Sequence, residues 1–247
     1  MTSRFWQFDS PHAKLSNQQL QATLDITQPH RGLSNVCVAG ESLAGEFLQL
    51  DLMPGRSQAT EEVVEAYVRE HDLVVSYNQL EQRPFRPQVY WRAVEATGLG
   101  AVETIVSVQT SLLDSRPAID AITRIPAEEV LYLADLANAE FRTVDRTSDK
   151  PLTLQAEQGP ACLVYRLPQT ELSYAELILP SDFQSLQLTS QADNVMELRY
   201  ALFGQFLEKG VILRARRRGV FLSRASDVEQ ASAACQAFVE SYLPLTA

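Results

Sequence analysis

Short runs in which apolar and polar residues alternate recur along this chain, set off by glycine and proline, and they restrict it to a β architecture. Alternation with a period of two is the pattern of a strand with one buried face, and it contrasts with the βαβ units of a parallel sheet. The runs predict strands near Gln21–Thr27, Leu33–Val38, Glu46–Leu52, Val63–Val68, Leu73–Tyr77 and Gln88–Val94. Others are predicted near Val102–Leu112, Cys162–Leu167, Tyr174–Leu179, Val195–Phe203 and Val211–Leu222. Between them, Pro29–Gly32, Pro54-Gly55, Pro84–Pro87 and Gly98–Gly100 interrupt regular ladders. The segment Ala127–Arg142 has a helix-opening Pro126 but a strand-like Val130–Leu136, and we read it as strand.

One helix is expected, at the C-terminal end. Ser226 and Glu229 form a capping-box pattern, and Val228, Ala231, Cys235, Phe238 and Tyr242 recur at helical spacing up to Pro244. With no repeat and no linker, residues 1–247 are read as a single domain. Its fold class is all-β, a large antiparallel β-sandwich with a C-terminal α-helix.

Hydrophobic content of 45% with 21% charged residues fits a chain that folds on its own. A net charge of -10 argues against binding nucleic acid or an anionic membrane, both of which need excess positive charge. The N-terminus has no apolar core of signal-peptide length and no long apolar span follows, so a cytoplasmic location is expected. Cys37, Cys162 and Cys235 show neither a disulfide framework nor zinc-ligand spacing and read as buried free thiols. His12, His30 and His71 stand too far apart for a metal site, and no phosphate-binding glycine motif occurs. Gly40-Glu-Ser-Leu-Ala44 lacks the second glycine of a nucleophile elbow. No cofactor or metal is therefore expected, and a homo-oligomer is left open.

Against this acidic background, Arg214, Arg216 and Arg218 alternate with Leu213, Ala215 and Gly219. In an extended strand these guanidiniums form a row on one face, with Val211, Leu213, Ala215 and Phe221 turned to a core on the other. Arginine suits planar carboxylate or phosphate partners. If Val195–Phe203 pairs with this strand as a hairpin, Glu197 falls opposite Arg216. The row reads either as a solvated salt-bridge ladder or as one wall of a site for anionic or hydroxylated ligands. A second concentration runs from Tyr67 through Arg69 and Asp72 to Tyr90-Trp91-Arg92, a mixture of rings, arginines and acid that suits sugars, whose C–H faces stack while their hydroxyls take hydrogen bonds. Asp72, Asp114, Asp182 and Glu208 are the acids available for hydrolysis.

Three passages, Leu15–Gly40, Tyr90-Trp91-Arg92 and Phe206–Leu222, resemble in layout the galactose-mutarotase-like supersandwich of aldose epimerases and of β domains in several glycoside hydrolases and polysaccharide lyases. The resemblance implies a concave sheet face that recognises a carbohydrate. Aldose epimerases use two histidines and a late glutamate; no histidine lies beyond His71, so no catalytic residue carries over. The expected function is binding of a carbohydrate or related polar ligand through Arg69, Asp72, Tyr90, Arg92, Glu208, Arg214 and Arg216. On this reading the pair Arg214 and Arg216 can be removed at little cost in stability. Two alternatives stand beside it: a lyase or isomerase in which Arg92 neutralises a substrate carboxylate and Asp72 or Glu208 is the base, and a structural subunit with no small ligand.

Overall fold

The computed structural model describes residues 5–55, 60–95, 98–145, 151–156 and 161–241. Its first strands are β1 (Trp6–Asp9), β2 (His12–Ser16), β3 (Leu20–Asp25), β4 (Ser34–Val38), β5 (Glu41–Ser42), β6 (Glu46–Asp51) and β7 (Val63–Arg69). Then come β8 (Asp72–Tyr77), β9 (Arg86–Val94), β10 (Gly100–Gln109), β11 (Asp114–Ser115), β12 (Ala118–Pro126), β13 (Glu129–Asp135) and β14 (Glu140–Thr143). The last are β15 (Leu152–Gln155), β16 (Ala161–Arg166), β17 (Leu172–Ile178), β18 (Ser185–Ser190), β19 (Val195–Phe203), β20 (Leu207–Glu208) and β21 (Leu213–Ser223), followed by helix α1 (Asp227–Glu240). No helix among the described residues is long and apolar enough to cross a membrane.

All strand pairings are antiparallel, and they build one large curtain and its backing. The large sheet runs β14-β13-β16-β17-β21-β10-β9-β8-β7. One five-stranded sheet runs β15-β18-β19-β12-β6, another β1-β2-β3-β4-β5, and β11 pairs with β20 alone. One face of the large sheet packs on the five-stranded sheets through a continuous core holding Trp91, Tyr77, Tyr165, Leu50, Leu198 and Phe183. Phe47, Tyr174 and Phe221 meet there with ring centroids 5.0 to 5.3 Å apart. Gly219 is required beside them, since a Cβ at that position would lie 2.3 Å from the Tyr174 hydroxyl. The opposite, outer face is covered over β16, β17 and β21 by α1, whose Ala231, Ala234, Cys235 and Phe238 bury against Val164, Ala175, Leu177 and Val220. Strand β10 is buried on both faces along almost its whole length.

The predicted strands all form, and the Ala127–Arg142 segment is indeed two strands, β13 and β14. Strands β1, β2, β12, β15 and β18 were not legible. β12, Ala-Ile-Asp-Ala-Ile-Thr-Arg-Ile-Pro, spreads apolar residues over both faces, and β1 and β2 are short with a turn at Ser10-Pro11 between them. The last predicted strand starts at Leu213 rather than Val211, which is exposed.

Two local expectations are corrected. β19 does not pair with β21: its neighbours are β12 and β18 in the smaller sheet, whereas β21 lies between β10 and β17. After β19 the chain turns through Phe203 and Gly204, both at positive φ, and forms β20 against β11 before it enters the large sheet. Glu197 accordingly meets Arg124 at 2.7 Å and Arg199 at 3.0 Å, not Arg216. The capping box does not form either, because the Ser226 side chain caps no backbone N–H and instead accepts from Gln230. Asp227 takes over this end, accepting from Val228 N (2.8 Å), Ser173 Oγ (2.8 Å) and Arg166 Nε (2.9 Å). Tyr242 and Pro244 lie outside the described residues.

Candidate functional site

Side chains of alternate residues share a face, so the antiparallel register fixes which of them line up across the outer face. Residues Arg69, Asp72, Arg92, Glu103 and Arg218 are successive cross-strand partners on β7, β8, β9, β10 and β21, a ladder of alternating charge. Two residues along, the row is Tyr67, Val74, Tyr90, Ile105 and Arg216. The next is Glu65, Ser76, Gln88, Ser107 and Arg214. An aromatic and aliphatic band thus lies between a charged row and a polar row. Val74, Tyr90 and Ile105 form a small buried cluster there, with Tyr67 packed against it.

Hydrogen bonds hold these rows in place. Arg92 donates from Nε and Nη2 to the two carboxylate oxygens of Asp72, at 2.7 and 2.8 Å. Its side chain is still 27% exposed, while Asp72 is buried, so the acid positions the guanidinium and the guanidinium reaches solvent. The Tyr90 hydroxyl donates to Gln88 Oε1 (2.8 Å), and Gln88 Nε2 donates to Ser76 Oγ (2.9 Å). Burial, then the neighbouring Tyr67, push the Tyr90 phenol above its ordinary range, against the pull of Arg69 and Arg214. Tyr90 is therefore a neutral donor across the physiological range.

The arginine row divides. Arg218 donates from Nε and Nη2 to Glu103 Oε2, at 3.0 and 2.7 Å. Arg216 is 1% exposed and lies under α1: Nη1 donates to Ser241 Oγ (2.8 Å), Nη2 donates to Phe238 O (2.9 Å), and its guanidinium sits 4.1 Å from the Phe238 ring centre. It closes the C-terminal end of the helix, where unpaired carbonyls and the helix dipole favour a cation. The expectation that Arg216 can be removed without loss of stability is therefore overturned. Burial outweighs its charged neighbours and lowers the Arg216 pKa, and Asp182, raised above the usual carboxylate range chiefly by burial, accepts the Arg216 backbone N–H. Arg214 is half-buried at the edge of the polar row, and Arg69 is exposed at the far end of the ladder.

Six of the seven predicted residues, Arg69, Asp72, Tyr90, Arg92, Arg214 and Arg216, thus share this face. Glu208 does not: it is exposed on β20, directly opposite Asp114 in the two-stranded ladder. Sequence reading named Tyr67 in the aromatic concentration but not as a site residue, and it missed Gln88 and Glu103, which the register identifies. It also missed Arg217 on the inner face, 2% exposed, which donates to Glu176 Oε1 (3.0 Å), Ile122 O (3.2 Å) and Gln49 O (2.9 Å). Glu176 in turn accepts from Thr123 Oγ1 (2.6 Å) and the Tyr174 hydroxyl (2.9 Å). Among the described residues no group of three or more His, Cys, Asp or Glu side chains is placed to hold a metal ion.

The arrangement of a large antiparallel sheet backed by smaller ones is a fold that this chain shares with several solved structures, one of them described as a galactose mutarotase related enzyme. The Slr1438 protein from Synechocystis sp. PCC 6803 superposes with a TM-score of 0.62 at 11% identity, over 90% of this chain and 100% of that one. The galactose mutarotase related enzyme from Lactobacillus acidophilus gives 0.59 at 10% identity, over 85% and 97%. An aldose epimerase homologue from C. elegans gives 0.56 at 10% identity, over 85% and 98%. No family model matches the sequence, and no curated protein does.

Proposed function

We propose that the outer face of β7, β8, β9, β10 and β21 binds a carbohydrate or related polar ligand, with Tyr67, packed on the buried Tyr90, offering a ring face and Arg69, Arg92 and Arg214 offering donors. The register that sets a band of rings between a charged and a polar row carries this reading. The charge of the face supports it. Arg69, Arg92 and Arg214 keep some exposure on it, while the buried acids Asp72 and Glu103 are each paired with an arginine, on a protein of net charge -10. Such a face favours ligands with acidic groups, such as uronates or sugar phosphates. The names of the solved relatives, which concern galactose and aldoses, point the same way.

A catalytic role as lyase or isomerase is less well supported. A base must be free to take a proton, and both buried acids of the face, Asp72 and Glu103, are bound by arginines.

A thermal-shift panel of neutral monosaccharides, uronic acids and sugar phosphates tests the proposal, because a ligand bound only by the folded state raises the melting temperature. The expected result is a saturable shift that Arg69→Ala and Arg92→Lys abolish. A shift that survives both substitutions moves the site elsewhere. No shift across the panel, together with a stable dimer, favours the structural-subunit alternative.

A further inference from the structure

Large apolar side chains are exposed at seven positions among the described residues, and five of the seven meet at one spot: Leu112, Leu113, Phe206, Val211 and Ile212. The ladder of β11 and β20 gathers them. Ser115 lies opposite Leu207 and Asp114 opposite Glu208, Lys209 N donates to Leu113 O (3.3 Å), and Val211 N donates to Glu208 O (3.1 Å). Leu207 and Ser115 are buried, so their strand neighbours Phe206, Glu208 and Asp114 point outward, and Leu113 at the tip is 86% exposed. The ladder is also tied to the body of the protein. Gly204 N donates to Pro117 O (2.8 Å), Thr110 Oγ1 to Pro84 O (2.8 Å) and Ser111 N to Gln79 Oε1 (3.2 Å). Single exposed apolar residues are ordinary on a folded protein, but a group of them on a fixed element marks a contact surface.

Charge says what fits there. Asp114 and Glu208 face each other across the ladder, an unfavourable pairing of like charges. Arg116 and Lys209 flank them, and none of these four exposed groups has an ion-pair partner among the described residues. The patch is thus neutral in sum, with both signs unpaired, on a chain of net charge -10 whose copies otherwise repel one another. We propose that it is the interface of a homodimer, in which two copies meet about a twofold axis with the apolar side chains at the centre and Glu208 against the partner's Lys209. A twofold contact presents the same surface from both sides, so a patch that carries both signs is complementary to itself. The acids that repel within one chain each gain a cation from the other.

The experiment is sedimentation velocity on the full chain from about 0.1 to about 100 μM, a range that brackets micromolar dissociation. The expected result is a concentration-dependent species of twice the 27.6 kDa chain mass. Leu113→Glu combined with Ile212→Glu should raise the dissociation constant more than about 30-fold. The melting temperature in dilute solution should not fall, since both side chains lie in solvent in the single chain. Glu208→Lys and Lys209→Glu should each weaken the dimer alone, and an equimolar mixture of the two variants should restore it, because the exchanged charges then meet across the axis. A monomer at every concentration, a dimer that survives the apolar double substitution, an open chain of copies, or a mixture that stays monomeric each overturns the proposal. A monomer that instead sediments with neutral phosphatidylcholine vesicles overturns it in favour of a lipid surface as the occupant.

Discussion

Arg216 and Arg217 are adjacent in sequence, almost equally buried, and serve opposite faces of one strand. Arg217 points into the sandwich and binds Glu176 together with carbonyls of β6 and β12, so it joins the two main layers. Arg216 points outward and holds the end of α1. Arg92, on the same outer face two strands away, pairs with a buried acid yet keeps part of its guanidinium in solvent. One residue type therefore plays three parts on one sheet, and what separates them is which element covers the far end of the side chain.

Substitutions should break this set in order. Arg217→Leu leaves Glu176 buried without its cation and is expected to cost about 3–5 kcal/mol, read as a fall in the denaturant midpoint. Adding Glu176→Leu should recover much of it, since uncharged partners of similar size restore neutrality; no recovery would mean that the pair does more than balance charge. Arg216→Ala removes the carbonyl partner of α1 and should cost about 1–3 kcal/mol, with faster amide exchange at residues 238–241. Unchanged exchange there would separate Arg216 from the helix. Arg92→Lys loses the two-pronged bond to Asp72 at a partly exposed site and should cost no more than about 1 kcal/mol, while any ligand-induced shift disappears.

Acid separates two carboxylates near α1. Burial raises Asp227, but bonds from Arg166 and Ser173 outweigh it and hold it below its ordinary 3.8. A lowered folded value means stability that is present above the unfolded value and lost as pH falls through the folded one. Asp227→Asn should therefore destabilise at neutral pH, and its deficit should vanish in strong acid. Asp182 runs the other way: its raised value places a penalty on the folded state at neutral pH, relieved as pH falls through that value. Asp182→Asn should be neutral or mildly stabilising at pH 7. Equal and parallel pH profiles for the two variants would contradict this assignment.

Much of the fold was readable because one-sided strands write their burial into alternation, as β19 does with Met196, Leu198, Tyr200 and Leu202 inward. Where a strand is covered on both faces, alternation no longer says which neighbour covers which side. That is why Arg217 went unnoticed between Arg216 and Arg218, whereas β19 was given the wrong partner because alternation fixes a strand's faces and not its neighbours. The site was legible as residue types, since Tyr90, Arg92 and Asp72 are local in sequence. Its geometry was not: Tyr67, Glu103 and Arg218 join it only through pairings across five strands.

The order of strands in the large sheet also sets the order of assembly. β21 follows every other strand in the chain and yet occupies a central place, between β17 and β10. Until residues 213–223 are available, the nascent sheet is two separate halves, each ending in an unpaired edge of backbone donors and acceptors. The closing step joins segments more than a hundred residues apart, a feature of slow, non-local folding. A chain shortened before β21 would present both halves with open edges, ready to pair with a neighbouring molecule instead of with itself.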